Sequence, residues 1–223
     1  MINTESRPLA KKSGKLNEYL PLLARVVSAL LCIVILGGCA AGKGPRVYDY
    51  DDEFDRWTRT VKIYDGIETV AIVNATYKTS AFVEAYVNKY AKSIQADEDY
   101  TKVILEGQLS DLERYNEIFL TLYTPDEKWN DLVRLDASIW RLYLEDGSGA
   151  RLQPVSIRRV DRDDVMARQF FPYYDEWNVA YVIQFPKYAV TSVESVPGKN
   201  AKTLTFTITG ILGEGKIKWG LEE

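Results

Sequence analysis

Histidine is missing from all 223 residues. Its absence removes the commonest general base near neutral pH, the commonest metal ligand and every nucleophile that a neighbouring imidazole would activate. Most hydrolase and metalloenzyme chemistries close with it. Cysteine is almost as scarce, at two residues, Cys32 and Cys39, too few for a disulfide framework. No Ser-x-x-Lys occurs, so the serine-acylase signature that needs no histidine is missing as well. No block of Lys and Arg accompanies the net charge of −4, and nucleic-acid binding, which depends on neutralising phosphates, is set aside. The remaining composition, with 46% hydrophobic and 27% charged residues, is that of a globular chain and excludes a collagen-like or wholly disordered one. Nothing in it calls for a cofactor or a metal.

The longest apolar stretch is also short. Residues 26–36 (VVSALLCIVIL) form an 11-residue run, within the roughly 7–15 of a signal-peptide core and below the ~20 that cross a bilayer. Arg7, Lys11, Lys12, Lys15 and Arg25 precede it against Glu5 and Glu18, a net charge of +3, which is the basic flank that a secretory signal carries. Directly after it stands Leu36-Gly37-Gly38-Cys39. An aliphatic residue, two small residues and a cysteine in that place resemble the lipobox of bacterial prolipoproteins, over residues 1 to about 42.

The resemblance implies that Leu36, Gly37 and Gly38 are read by the signal peptidase, that residues 1–38 are removed, and that Cys39 carries a diacylglyceryl thioether and an acylated amine. Three acyl chains, at about 0.8 kcal/mol per buried CH₂, make a durable anchor where one chain does not. Ala40, in place of the aspartate associated with inner-membrane retention, favours the outer membrane, facing the periplasm. Cys32 follows Leu31, too large for a cleavage site, and leaves with the signal peptide. The alternative is an uncleaved inner-membrane signal-anchor, since Arg25 and Lys43 bracket 17 uncharged residues, the lower limit for a span.

Cleavage leaves 185 residues with a net charge of −7, because five basic and only two acidic side chains depart. That length suits one domain. Residues 39–56 open with Gly, Lys and Pro and run into Asp49, Asp51, Asp52, Glu53 and Asp55, the composition of an acidic tether repelled by an anionic membrane. Tyr48, Tyr50, Phe54 and Trp57 in the same stretch would dock its end on the domain or meet a partner. From residue 57 onward the dominant period is two, the mark of half-buried strands: Leu204, Phe206 and Ile208 alternate with threonines, and Ile118, Leu120 and Leu122, or Val179, Tyr181, Ile183 and Phe185, repeat the pattern. Trp140, Leu142 and Leu144 lead through a Gly-bearing turn into residues 152–157 as a hairpin. Phe82, Tyr86, Val87, Tyr90, Ala91 and Ile94 recur at helical steps, with Thr79 or Ser80 as cap, and Asp97 caps a second helix. The reading is mainly β: one sandwich of eight short strands, with an immunoglobulin-like arrangement as one form of it, and a helical insertion at about 79–114.

Chemistry is harder to find. Gly210, Gly215 and Lys216 match part of a phosphate-binding loop, but Ile217 stands where Ser or Thr should bind Mg²⁺ and only seven residues follow Lys216, so a glycine-rich hairpin is expected. Asp161, Asp163 and Asp164 alternate with Arg158, Arg159 and Arg162, which reads as a solvated, self-neutralised loop. The Asp97-Glu98-Asp99 run suits a helix N-terminus. Phe170-Phe171-Pro172-Tyr173-Tyr174-Asp175-Glu176-Trp177 is five-eighths aromatic; Phe170, Phe171, Tyr173, Tyr174 and Trp177 either close one end of the core or present a binding surface. The functional expectation is a lipid-anchored envelope lipoprotein with a non-catalytic binding or assembly role. Its partners would be membrane lipid through acylated Cys39 and an envelope protein or cell-wall polysaccharide. The alternatives are a carbohydrate-binding or cell-wall-binding module built on 170–177, and a glycosidase using two carboxylates.

Overall fold

The computed structural model describes residues 47–134, 137–189 and 194–222. The signal segment expected over residues 1–38, and Cys39, lie outside them. Residues from Val47 onward form one unit, which is mainly β. Its elements are α1 (Tyr50–Trp57), β1 (Thr58–Asp65), β2 (Glu68–Lys78), α2 (Ser80–Ser93), α3 (Glu98–Arg114), β3 (Tyr115–Tyr123), β4 (Trp140–Glu145), β5 (Arg151–Leu152), β6 (Ser156–Arg159), α4 (Val165–Phe170), β7 (Val179–Pro186), β8 (Thr203–Gly210) and β9 (Gly213–Gly220). Two antiparallel sheets, ordered β1-β2-β3-β7-β6 and β5-β4-β8-β9, pack face to face as a sandwich, with α2 and α3 inserted between β2 and β3.

The alternating residues meet in the middle of the sandwich. Val73, Ala75 and Tyr77 of β2, Ile118, Leu120 and Leu122 of β3, and Tyr181, Ile183 and Phe185 of β7 stand in register and are buried. Leu204, Phe206 and Ile208 of β8 and Trp219 of β9 face them, with Phe185 edge-on to Phe206 and Tyr77 against Trp219. The sheets close on each other where β9 passes β1: the buried Trp219 Nε1 donates to the carbonyl of Trp57 at 2.7 Å.

The strand order is not the immunoglobulin one, in which the third strand crosses to the opposite sheet. Here α2 and α3 return the chain to the edge of β2, so β3 pairs with β2 in the same sheet. Among the described residues there are nine strands rather than eight, because residues 152–157 divide. Leu144 pairs with Leu152, but after Pro154, which has no N–H to offer a ladder, the Val155 amide bonds to Gln184 O and β6 joins β7 in the other sheet.

The acidic stretch is a docked helix, so the domain begins ahead of Trp57. Asp49 caps α1, its carboxylate accepting from the amides of Asp51 and Asp52 at 2.9 and 3.3 Å. Asp51, Asp52 and Glu53 then occupy the first turn and Arg56 the last, the distribution the helix dipole favours. Tyr50, Glu53 and Trp57 turn inward. The helical pair matches its expected caps, Thr79 and Asp97, but α3 buries none of its residues because it lies outside α2; Tyr100 and Val103 are exposed. No helix among the described residues is long and apolar enough to cross a membrane.

Two glycines separate packing from propensity. A Cβ on Gly210 would lie 2.2 Å from the carbonyl oxygen of Ile139, whereas one on Gly107, in the exposed middle of α3, would meet nothing. Gly210→Ala should lower the unfolding free energy by about 1–3 kcal/mol and Gly107→Ala should raise it by about 0.5–1 kcal/mol, opposite signs that one chemical-denaturation series compares.

Candidate functional site

The aromatic segment 170–177 grows out of α4. Asp164 caps that helix through Ala167 N at 2.8 Å, and Phe171 N closes its last turn onto Ala167 O. Beyond it the chain turns beneath the helices and lays its rings on the outer face of the five-stranded sheet. Phe171 stacks on Phe119 of β3 with ring centres 3.7 Å apart and planes within 5°. Phe170 lies edge-on to Tyr86 at 4.7 Å, and its carbonyl accepts from the Tyr50 hydroxyl of α1. Tyr173 shares a hydrogen bond with Thr76 Oγ1 at 2.6 Å, and burial raises its phenol pKa far above the ordinary value. Tyr174 donates to the carbonyl of Asp161 at 3.0 Å.

Phe170, Phe171 and Tyr174 are thus buried and Tyr173 half-buried, so these four rings close the core and offer no open platform. Trp177 is the exception. Asp175 accepts from the Trp177 amide and from Asn178 Nδ2, and the turn this makes leaves the indole 73% exposed.

Beside Tyr174 the structure gathers a group that the alternating Arg and Asp pattern does not show. Arg159 ends β6, Arg162 sits in the following loop and Arg168 in α4. The Arg168 guanidinium carbon lies 5.4 Å from the centre of the Tyr174 ring. Burial raises the Tyr174 pKa, the charges of Arg168, Arg162 and Arg159 pull it back, and that of Asp164 raises it again. Arg159 and Arg162 line an open cleft of about 600 Å³ with Glu127, Val160 and Asp161.

The loop is not self-neutralised by ion pairs. Asp161 accepts from Asp163 N at 3.1 Å and Asp164 from Ala167 N, local backbone bonds of the kind Asp makes in turns and caps. Among the described residues, none of Arg158, Arg159, Arg162 and Arg168 makes an ion pair. The Nε of Arg168 is buried without a hydrogen-bond partner. Sequence spacing could not reveal this, because Asp164 is equally suited to a salt bridge and to a cap, and Arg168 is brought in by α4.

Four further carboxylates are structurally committed. Glu117, on the same outer face, pairs with Lys78 at 2.6 Å and accepts from Gln184 at 2.9 Å; burial pushes its pKa up, but Lys78, Gln184 and Arg158 outweigh it, and the group sits below the ordinary 4.5. That is opposite to the shift a glycosidase acid requires. Glu53 accepts from Trp57 Nε1 at 2.9 Å. Asp146 accepts from Gly198 N at 2.7 Å and from Ser148 N at 3.0 Å, strapping a turn to the loop across a hollow of about 760 Å³. Asp97 caps α3 through Tyr100 N. Gly210 and Gly213 flank the turn of the β8–β9 hairpin, the expected alternative to a phosphate-binding loop. No group of three or more metal-ligating side chains occurs among the described residues.

No family model matches the sequence, and no curated protein does. A solved structure of a novel protein of unknown function from Burkholderia pseudomallei K96243 is similar over 76% of this chain and 80% of its own, at 12% identity and a TM-score of 0.39. Function has to be read from this chain's own residues.

Phe171→Ala should cost about 3–5 kcal/mol of stability through the cavity it opens, while Trp177→Ala should stay within about 0.5 kcal/mol; thermal melts of the two distinguish core from surface. A depressed Glu117 contributes stability above its ordinary pKa and loses it as the pH falls through the folded value. The wild type should therefore lose more stability than Glu117→Gln between pH of about 6 and about 3, measured by urea titration at each pH.

Proposed function

We propose that this chain is a bacterial cell-envelope lipoprotein, anchored through acylated Cys39 after cleavage behind Leu36, Gly37 and Gly38, whose β domain has a binding or assembly role without catalysis. The observation that carries the anchoring is the joint occurrence of a basic flank, an 11-residue apolar run and the Leu-Gly-Gly-Cys tetrapeptide in that order. Ala40 directs the product to the outer membrane, on its periplasmic side. The docking of α1 adds a geometric consequence: only residues 40–46 separate Cys39 from the domain, an extended reach of at most about 29 Å. A domain so close to a bilayer is placed to meet lipid headgroups, cell wall and neighbouring membrane proteins.

The binding role draws support from the side chains left unspent. Glu117, Glu53 and Asp146 are occupied by Lys78, Trp57 and backbone amides, while Trp177, Arg159 and Arg162 are exposed. A carbohydrate-binding or cell-wall-binding module is the second reading, and exposed Trp177 favours it in a narrower form than the whole aromatic segment.

Intact mass of the membrane-extracted protein should show the loss of residues 1–38 and acyl mass on the peptide that begins at Cys39. Cys39→Ser should abolish both lipid labelling and membrane retention. A mass that retains Met1 would identify an inner-membrane signal-anchor and overturn the lipoprotein assignment.

A further inference from the structure

Single apolar side chains scattered over a protein surface are ordinary, but Ile67 and Ile211 are not scattered. They are 99% and 87% exposed. Each sits in a two-residue hairpin turn, Gly66-Ile67 between Asp65 and Glu68, and Ile211-Leu212 between Gly210 and Gly213. Gly, Asn, Asp and Ser are the residues that such turns favour, so neither isoleucine serves its turn. The two turns stand at the same end of the sandwich. A Cβ on Gly213 would lie 2.7 Å from Ile63 Cγ2, and one on Gly215 would lie 3.1 Å from both Ile63 and Val61, while the far ends of β1 and β9 meet where Trp219 reaches the Trp57 carbonyl. Tyr64, exposed as well, stands beside the first turn, and Leu212 packs on the core beneath the second.

Three side chains on two narrow turns present far less than the roughly 1,200 Å² that a specific protein interface buries, which argues against a second copy or another protein as the occupant. A lipid surface asks for less. It takes up separate protruding apolar side chains, and tyrosine is enriched at its headgroup level. With Cys39 already held in a bilayer the contact is intramolecular in effect, so weak insertion suffices. The tether's reach of at most about 29 Å is comparable with the ~26 Å that the eight residues of β1 cover on the way to the first turn. Asp65 and Glu68, exposed on either side of that turn, are repelled by anionic lipid and compatible with a zwitterionic surface.

We propose that the β1–β2 and β8–β9 turns seat the domain on a zwitterionic bilayer, with Ile67 and Ile211 inserted beneath the headgroups and Tyr64 among them. The inference rests on the lipoprotein reading above and names the surface that the domain meets, the lipid itself.

On that reading the mature protein has no free thiol, since Cys32 leaves and Cys39 is acylated. Ile67→Cys, Ile211→Cys and Val155→Cys proteins can therefore each carry one nitrobenzoxadiazole label. Val155 is an exposed control at the opposite end, where its amide bonds to Gln184 in register with Glu117 and Lys78. In phosphatidylcholine vesicles, with the acyl mass verified, labels at 67 and 211 should shift to the blue and be quenched by spin-labelled lipid, and the label at 155 should not. Ile67→Asp should weaken the quenching at 211 at unchanged melting temperature. Equal quenching at all three positions, none at the turns, or none lost with Ile67→Asp overturns the proposal. A blue shift that grows with protein density and ignores the lipid quencher places a second copy there and overturns it too. Stronger quenching in phosphatidylglycerol vesicles overturns the zwitterionic assignment. Acylated protein whose turns stay unquenched sinks the seating and leaves the anchor standing; turns that quench in protein without acyl mass, with Cys32→Ser and Cys39→Ser added, do the reverse.

Discussion

Phe119 projects from the outer face of β3 and lies flat on Phe171, and the helical side of the molecule is organised around that pair. Tyr50 from α1, Phe82 and Tyr86 from α2, and Phe170 from α4 pack ring to ring around it. β3 is therefore buried on both faces, with Ile118, Leu120 and Leu122 inside the sandwich and Phe119 and Thr121 beneath the helices. The second residue of the same strand is Asn116, a fully buried amide. It accepts from the Tyr77 hydroxyl and from Lys187, and donates to the carbonyls of Pro186 and Val196. Apolar burial supplies the driving force on either side of this strand, and a satisfied polar centre fixes where it starts.

The polar features of the domain follow from that arrangement. Because the aromatic segment must turn under the helices to deliver Phe171, it emerges at Tyr174, whose hydroxyl reaches the Asp161 carbonyl beyond the end of β6 and whose ring carries the Arg168 guanidinium. Asp161 and Asp164 then face a choice between charge and backbone. Bonds to nearby amides order the turn and cap α4 at little entropic cost, whereas exposed ion pairs are worth under about 1 kcal/mol. Arg159 and Arg162 are left exposed as a by-product of how the carboxylates shape the chain.

Much of the sandwich was legible from alternation alone, since Leu204, Phe206 and Ile208 against threonines can bury only one face. The helical pair was legible too, because Thr79 and Asp97 sit where caps belong. What escaped was the second covering. A period of two in residues 118–122 identifies one buried face and is blind to helices lying on the other, so Phe119 reads as an exposed position. The acidic run before Trp57 misled for a related reason: Asp49 through Asp55 has the composition of a spacer, and only the positions of Tyr50, Phe54 and Trp57 on one helical face betray a core element. Pro154 marked a break whose consequence, a crossing between sheets, depends on where β7 lies. Of the aromatic segment, the sequence could not say which ring would be left outside, since that depends on the turn Asp175 makes.

The docking of α1 also fixes how far the domain can be trimmed from its N-terminal side. Tyr50, Phe54 and Trp57 belong to the core, and Asp49 holds the first turn of their helix. A protease acting within residues 40–46 would shed a domain with its aromatic layer intact, whereas a cut only a few residues further on would strip α1 from the sheet and leave Phe82 and Phe170 facing water. Trimming that spares the fold and trimming that costs it are thus separated by little more than one turn of helix.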